Sequence, residues 1–276
     1  AIGRKALREN TTGANNVAVG TNALDANTTA SNNTAVGHNA LTANTTGTQL
    51  AAFGTFALED NTASGNSAFG YAALAENTTG AENTAIGRAA LNLNTTAGAN
   101  TAVGYNCLGA NTTGANNTSV GAYALTANTT GTRNTAVGYE AAKTYTSSAD
   151  GTAVGYHAMR LNDSSESTAI GAHALKLADA GANAYNVAIG YDAGANVSTA
   201  VQNTIIGGLA GDALTTGSHN IAMGYGALST EDTGGRNVAI GKAALFNQNY
   251  DGTAYNVAIG YEAGASVTTG IKNTLI

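Results

Sequence analysis

Residues 100–121 read NTAVGYNCLGANTTGANNTSVG, which is one complete repeat followed by the start of the next. Gly104 and Gly121 each follow a large apolar residue that is itself preceded by Ala, Ser or Ile, and a glycine in this setting occurs sixteen times in the 276-residue chain. Eleven of the fifteen intervals between these anchor glycines are 17 residues, two are 16 and two are 19. A fixed period of this length indicates a repeat protein. The anchors are Gly3, Gly20, Gly37, Gly54, Gly70, Gly87, Gly104, Gly121, Gly138, Gly155, Gly171, Gly190, Gly207, Gly224, Gly241 and Gly260.

The pattern within one repeat favours strands over helices. Thr-Ala-Val-Gly alternates with a period of two and is too short for a helix, so it predicts a short strand. Asn-Thr-Thr-Gly predicts a second short strand that ends in a turn, so that each unit has two strands and two turns. Units this short and this rich in Gly, Thr and Asn cannot supply two packed helices. We therefore expect an all-β fold, a parallel β-solenoid of about sixteen 17-residue turns. The absence of proline agrees, because each turn must donate backbone N–H groups to the next.

The array covers residues 1–276 as a single repeat domain, but its two halves differ. Residues 1–138 carry regular Asn-Thr-Thr-Gly-type turns, whereas residues 139–276 carry variant turns. In the second half, the segment 186–194 returns as 256–264, so that four turns form a 70-residue higher-order repeat. We expect the Ala three residues after each anchor to be inaccessible, because this slot holds Ala in every unit except at Cys107.

A column of asparagines runs along the first half, seven residues after each anchor. Each is followed by Thr, and the sequence predicts a continuous strip at the strand spacing on the surface of the solenoid. Several begin Asn-x-Thr sequons, so a glycosylating host would add a row of glycans to an exposed strip. The candidate surface ladder comprises Asn10, Asn27, Asn44, Asn61, Asn77, Asn94, Asn111 and Asn128.

The small residues of the predicted strand indicate self-association. One turn offers about two large apolar residues, worth roughly 3–6 kcal/mol when buried, whereas ordering the backbone of one turn costs on the order of 17–34 kcal/mol. We therefore expect a parallel homotrimer in which the face of Asn, Ala and Gly meets a neighbouring chain. Both termini interrupt a turn and leave strand edges, which also favours end-to-end stacking into a filament. The candidate interface comprises Ala18, Ala35, Ala102, Ala136 and Ala239, with Ile205 and Leu275 as matching larger contacts.

The segments Asn186-Val187-Ala188-Ile189-Gly190 and 237–241 resemble the head repeats of trimeric autotransporter adhesins. The Asn-Thr-Ala-Val-Gly-Tyr version is similar to repeats of phage tail-fibre-like proteins. The resemblance covers the whole chain, with one short motif per turn. It implies a left-handed β-roll, three bundled chains and display outside the cell for attachment. The partner of such a fibre would be a glycan or a protein on a host surface.

Candidate chemistry along the chain is sparse. The seventeen acidic residues are scattered, so the paired carboxylates of a fibre-borne glycosidase are not evident and we expect no enzyme. The four histidines lack metal-ligand spacing, and no phosphate-binding loop is present, so we expect no cofactor. A net charge of −6 argues against nucleic acid, and no apolar run is long enough to insert in a membrane. Cys107 fits a small buried side chain.

Two readings of function remain open. The first is a structural segment of an extracellular fibre or adhesin that self-assembles and mediates surface attachment. The second is a monomeric ice-binding solenoid that uses flat ranks of Thr, such as Thr112 or Thr113 and their equivalents. Tyr after the anchor, as at Tyr105 and Tyr191, can either pack over small residues of adjacent turns or bind sugars and partner chains.

Overall fold

The computed structural model describes residues 1–181 and 183–276, and these residues form strands and turns with no helix. They fall into two compact units, Ala1–Asn134 and Thr135–Ile276. The strands described in unit 1 are numbered β1 to β7 and those described in unit 2 are numbered β8 to β16, both in the chain order of the list that follows. The strands are Val17–Val19, Thr34–Val36, Ala51–Phe53, Ser67–Phe69, Thr84–Ile86, Thr101–Val103 and Thr118–Val120, then Thr135–Val137, Thr152–Val154, Thr168–Ile170, Val187–Ile189, Thr204–Ile206, Ile221–Met223, Val238–Ile240, Val257–Ile259 and Thr274–Leu275.

Within each unit the strands stack in parallel and in chain order, one per repeat. Equivalent positions pair, so that Ala18 lies opposite Ala35 in unit 1 and Ala136 lies opposite Ala153 in unit 2. This arrangement confirms the all-β parallel solenoid, with one turn of the backbone for each sequence repeat. The second predicted strand is wrong, because Asn-Thr-Thr-Gly forms a bend. The bend still joins adjacent turns, since the N–H of Thr112 donates to the carbonyl of Thr129 at 2.9 Å.

Left-handed backbone conformations make the corners of each turn. In the turn after Gly87, Ala89, Leu91 and Ala99 have φ of 56°, 50° and 57°. Such a conformation costs an L-residue roughly 1–2 kcal/mol. The corners are offset by hydrogen bonds between turns, because the N–H of Leu91 donates to the carbonyl of Cys107 at 3.0 Å. Ala and Leu are not residues that signal positive φ, so these corners could not be read from the sequence.

The anchor glycines stack directly on one another. Gly104 has φ of 141°, and a Cβ built there would lie 2.7 Å from the carbonyl carbon and oxygen of Gly121. Any side chain at this position would therefore force adjacent turns apart. The anchor is what allows the backbone to repeat at one strand spacing.

The core is a narrow column of small and medium side chains. The central residue of each strand points inward, and so do the Ala and Leu three and four residues after the anchor, as Ala85, Ala90 and Leu91 illustrate at 0% exposed. The prediction for the Ala slot is confirmed in every turn from Ala23 to Ala244. In the two terminal turns, Ala6 and Ala263 are half-buried.

Candidate functional surfaces

The asparagine column exists as a ladder, but it lies inside the solenoid. Amide Nδ2 of Asn94 donates to Oδ1 of Asn77 at 2.8 Å, and Asn111 donates to Asn94 in the same way at 2.8 Å. Asn27 and its equivalents through Asn128 are all 0% exposed, and Asn10 alone is half-buried. The prediction that these asparagines form one continuous column is confirmed. The prediction that the column lies on the surface is wrong.

A second bond explains why the amides turn inward. Asn94 Nδ2 also donates to the carbonyl of Ala97 at 2.9 Å, which closes the Asn-Thr-Thr bend. An amide can be buried at little cost only when its groups are paired, and here the backbone of its own turn supplies the partner. The sequons at Asn27 and Asn44 are consequently inaccessible in the folded chain, so the predicted glycan row is also wrong.

A second internal ladder is formed by the Asn that precedes most strands. The N–H of Asn117 donates to Oδ1 of Asn100 at 2.9 Å, and Nδ2 of Asn100 donates to the carbonyl of Gly114 at 3.0 Å. The same two bonds recur in unit 2, where Asn203 and Asn220 are related in this way. This ladder was not predicted, although Asn at the start of Asn-Thr-Ala-Val-Gly is its signal in the sequence.

The predicted chain interface is wrong, because its alanines point into the core. Ala18, Ala35, Ala102, Ala136 and Ala239 are 0–1% exposed in the single chain. The alternation of side chains along each strand was predicted. The side that was expected to contact a neighbouring chain instead faces the interior of its own solenoid. The row cannot contact another chain without unfolding its own turn.

Ile205 and Leu275 compensate for missing volume inside unit 2. Three turns here have Gly where other turns have the inward Leu: Gly194, Gly211 and Gly264. A Cβ at Gly194 would lie 2.9 Å from Cδ1 of Ile205, and one at Gly264 would lie 2.6 Å from Cδ1 of Leu275. The two larger residues therefore fill the space of the absent leucines. Ile205 and Leu275 are separated by one higher-order repeat because each fills the same kind of space in the core of its own turn. They were predicted to be matching contacts between chains, and that prediction is wrong.

The outward sides of the strands form a different surface, which we call the sheet face. It consists of the first and third residues of each strand: Thr, Val, Ser, Ala or Ile in the first column and Val, Ile, Phe or Met in the third. Ile86 in unit 1 and Ile259 in unit 2 are 41% and 42% exposed. Phe53 and Phe69 stack with ring centroids 4.9 Å apart. Neither column contains a charged residue in either unit.

Tyrosines after the anchor form an exposed row. In unit 1, the guanidinium of Arg88 lies 5.8 Å from the ring of Tyr71 and 5.6 Å from the ring of Tyr105. In unit 2, Tyr139 and Tyr156 stack at 5.8 Å with an interplanar angle of 13°. These rings therefore contact residues of neighbouring turns and are still exposed, Tyr71 by 51% and Tyr156 by 50%.

A charged cluster lies beside the start of the tyrosine row in unit 2. Glu140 is only 6% exposed and accepts hydrogen bonds from Lys143 at 2.7 Å and from Arg160. The Lys143 ammonium, followed by Arg160, lowers the pKa of Glu140 to about 2. Desolvation lowers the pKa of His157, whose ring lies 5.6 Å from that of His173. Glu140 is therefore a paired, ionised carboxylate, and its pKa lies far below the range near neutrality that suits general acid–base catalysis.

In unit 2, most positions equivalent to the first asparagine ladder hold other residues, and Asn162 is an exception. Tyr145 fills one slot and donates its hydroxyl to the carbonyl of Ser164 at 2.7 Å. Glu231 fills another at 0% exposed, accepting the N–H of Gly234 at 2.7 Å, and burial raises its pKa. Local hydrogen bonds satisfy the polar atoms of both residues, so each can replace a buried asparagine without an unpaired polar group.

The described residues contain no group of three His, Cys, Asp or Glu placed to bind a metal ion. No helix suited to crossing a bilayer occurs in residues 1–181 or 183–276. Cys107 is fully buried, as predicted, and desolvation raises its pKa to about 11. Comparison with family models, curated proteins and solved structures finds no match to this chain.

Proposed function

We propose that the chain is a structural repeat segment of an extracellular fibre or adhesin, which assembles as a parallel homotrimer through its sheet face. The observation that carries this proposal is the sheet face itself, an outward surface that recurs in every turn without a charge and whose third column is Val, Ile, Phe or Met. Large exposed apolar surfaces on soluble proteins usually mark sites of association. Parallel register lets each strand meet its equivalent in the neighbouring chain.

The size of the sheet face supports association. One strand presents about 5 Å by about 10 Å, so roughly 50 Å² per strand is available for burial. Ten of the sixteen first-column residues are Thr or Ser, so about half of this area is apolar and is worth roughly 0.6 kcal/mol per strand at about 25 cal/mol per Å². The nine strands described in unit 2 would then contribute roughly 5 kcal/mol, at the lower end of the range of about 4–15 kcal/mol that association costs. By the same count, the seven strands described in unit 1 would contribute roughly 4 kcal/mol.

Display outside the cell and surface attachment rest on the resemblance of the Asn-Val-Ala-Ile-Gly segments to adhesin head repeats. A catalytic role is not part of the proposal, since the buried carboxylates Glu140 and Glu231 are committed to internal hydrogen bonds. The segment's proposed task is to provide a repeating scaffold with a surface for attachment.

Light scattering after size exclusion tests the assembly. We expect a trimer mass for the native chain and a monomer mass for Val103→Glu with Val120→Glu, which places two charges on the sheet face. The matched control is Thr96→Glu with Thr113→Glu, which places two charges one turn apart on an exposed bend and should remain trimeric. A native chain that runs as a monomer at micromolar concentration would contradict the proposal.

Ice binding is the second candidate, and the outward Thr column of the sheet face favours it. Thr84, Thr101 and Thr118 follow one another at one strand spacing on this face. The Thr-Thr bend is less suitable, since the hydroxyl of Thr112 donates to the carbonyl of Thr129 at 3.0 Å. A monomer that arrests ice growth in a thermal-hysteresis assay would favour this function, and absence of hysteresis would exclude it.

A further inference from the structure

Four tyrosines of unit 2 occupy the slot after the anchor glycine in alternate turns. We call Tyr156, Tyr191, Tyr225 and Tyr261 the alternate row, and Ala172, Gly208 and Lys242 hold the intervening slots. The alternate-row tyrosines are 50–68% exposed. The first member differs from the others, because the ring of Tyr156 stacks on the ring of Tyr139 at 5.8 Å and on that of His157 at 3.7 Å.

Backbone hydrogen bonds hold this slot in register. The carbonyl of Tyr191 accepts the N–H of Leu209 at 2.9 Å, the carbonyl of Gly208 accepts the N–H of Gly226 at 3.0 Å, and the carbonyl of Tyr225 accepts the N–H of Ala243 at 2.9 Å. Successive slots are therefore about one strand spacing apart, and successive tyrosines of the alternate row are roughly 9.6 Å apart.

Neighbouring turns support the rings of Tyr225 and Tyr261. A Cβ built on Gly208 would lie 3.5 Å from Cδ2 of Tyr225, so this ring packs over the backbone of the preceding turn. The ammonium of Lys242 lies 5.4 Å from the ring centroid of Tyr261. A supported aromatic ring with one free side is a rigid platform that loses little conformational entropy when a ligand stacks on it.

Polar groups lie next to the rings. A groove of about 330 Å³ adjoins Tyr191 and is lined also by His173, Lys176, Asn196 and Asp212. Asp192 borders the same groove, and Tyr261 is likewise followed by an acid, Glu262. Carboxylate, amide and ammonium groups beside an aromatic platform are suited to the hydroxyl groups of a sugar, and the acids disfavour an anionic polymer.

We propose that the alternate row is a binding site for a neutral, extended β-1,4-linked polysaccharide. Equatorial β-1,4 linkages make a straight ribbon whose disaccharide unit is close in length to two turns of the solenoid, so every second pyranose ring meets a tyrosine with the same face. An α-1,4-linked chain curves and cannot follow the row. This inference names the attachment ligand and thus rests on the proposed role of the segment as an adhesive fibre.

Isothermal titration of the full chain with soluble oligosaccharides tests the inference. Cellohexaose and chitohexaose are the probes, and maltohexaose is the α-1,4-linked comparison. We expect binding of at least one β-1,4-linked probe and none of maltohexaose. Tyr191→Ala with Tyr225→Ala should weaken binding by about tenfold or more, because aromatic platforms dominate such contacts.

Matched variants separate stacking from a general loss of tyrosine. Tyr185→Ala with Tyr255→Ala removes two exposed tyrosines of unit 2 that lie off the row and should leave affinity unchanged. Tyr191→Trp with Tyr225→Trp keeps the platforms and should retain binding. No binding of either β-1,4-linked probe, equal binding of maltohexaose, or equal affinity in the row and off-row alanine pairs would overturn the inference.

Oligomer mass, measured on the same samples, distinguishes this inference from the proposed assembly. A monomer that binds cellohexaose through the alternate row would overturn the trimer and support the site. A trimer that binds neither β-1,4-linked probe would overturn the site and leave the assembly standing.

Discussion

The sulfur of Cys107 lies 2.8 Å from the hydroxyl oxygen of Ser119, and both residues replace alanine at their positions in the repeat. Cys107 follows the anchor Gly104 by three residues, and Ser119 is the centre of β7. The Ser119 hydroxyl in turn donates to the carbonyl of Ala124 at 3.0 Å. Two departures from the repeat thus satisfy each other in the core.

We predict that Cys107 and Ser119 are energetically coupled. Ser119→Ala should lower the free energy of unfolding by about 1 kcal/mol, because it removes the hydroxyl that accepts from the thiol and donates to Ala124, and leaves the thiol only the backbone carbonyl of residue 119 at 3.1 Å. The double change to alanine restores the repeat and should cost less than the sum of the two single changes by about 0.5 kcal/mol or more. Urea denaturation of the four proteins measures the cycle, and strict additivity would refute the coupling.

The slot three residues after the anchor should reject larger side chains. Ala90 is 0% exposed among stacked turns, so Ala90→Leu should cost about 1–3 kcal/mol of stability through overpacking. The comparison is Ala14→Leu, at an exposed position, which should change stability little. The midpoints of urea unfolding give the answer, and equal midpoints for both variants would show that the slot can expand.

Ile205 should carry more stability than an exposed side chain of similar size. Ile205→Ala removes the side chain that fills the space beside Gly194 and Gly211, so we expect a loss of about 2–5 kcal/mol. Leu177→Ala, at a 37% exposed position, is the control and should cost much less. Similar thermal midpoints for the two variants would remove the case for volume compensation.

Glu140 should make the chain sensitive to acid. Its pKa of about 2 lies below the ordinary carboxyl value of 4.5, so its contribution is complete above pH 4.5 and is lost as the pH falls towards 2. We expect wild type to exceed Glu140→Gln in unfolding free energy at pH 7, and the gap to close through this window. A gap that is constant from pH 7 to about pH 3 would contradict the ion network.

Glu231 should act in the opposite direction. Burial raises its folded pKa above 4.5, so the folded state binds more protons than the unfolded state, and stability falls as the pH rises above 4.5. Glu231→Gln removes the ionisation, and this variant should therefore gain on wild type as the pH is raised from 4 to about 7. Chemical denaturation at both pH values measures the difference in unfolding free energy between the two proteins. If Glu231→Gln instead gained stability relative to wild type as the pH was lowered, the raised pKa of Glu231 would be contradicted.

The repeat length, the strand position and the parallel stacking could be predicted because they depend on spacing alone. Sixteen anchors at a nearly constant interval allow a short strand per turn and one close backbone contact per turn, as at Gly104. The burial of the position three residues after the anchor could also be predicted, because this position holds a small residue in every unit. Ala90 and Ala158 are examples, and both are buried. The charged cluster around Glu140 could not be found this way, since Arg160 reaches it from the adjacent turn.

Which side of each strand faces inward was decided by the tertiary structure. Both sides carry a repeating pattern, and alternation alone assigns neither to the core. Leu91 and its equivalents enter the interior from corners with positive φ, which leaves room only for a small residue such as Ala85 on the strand and drives Val and Ile outward. Asparagines can share that interior because carbonyls of the bent backbone pair with their amides, as Ala97 does for Asn94. The sequence by itself determined the period and the stack; the corner conformations determined the inside and the outside.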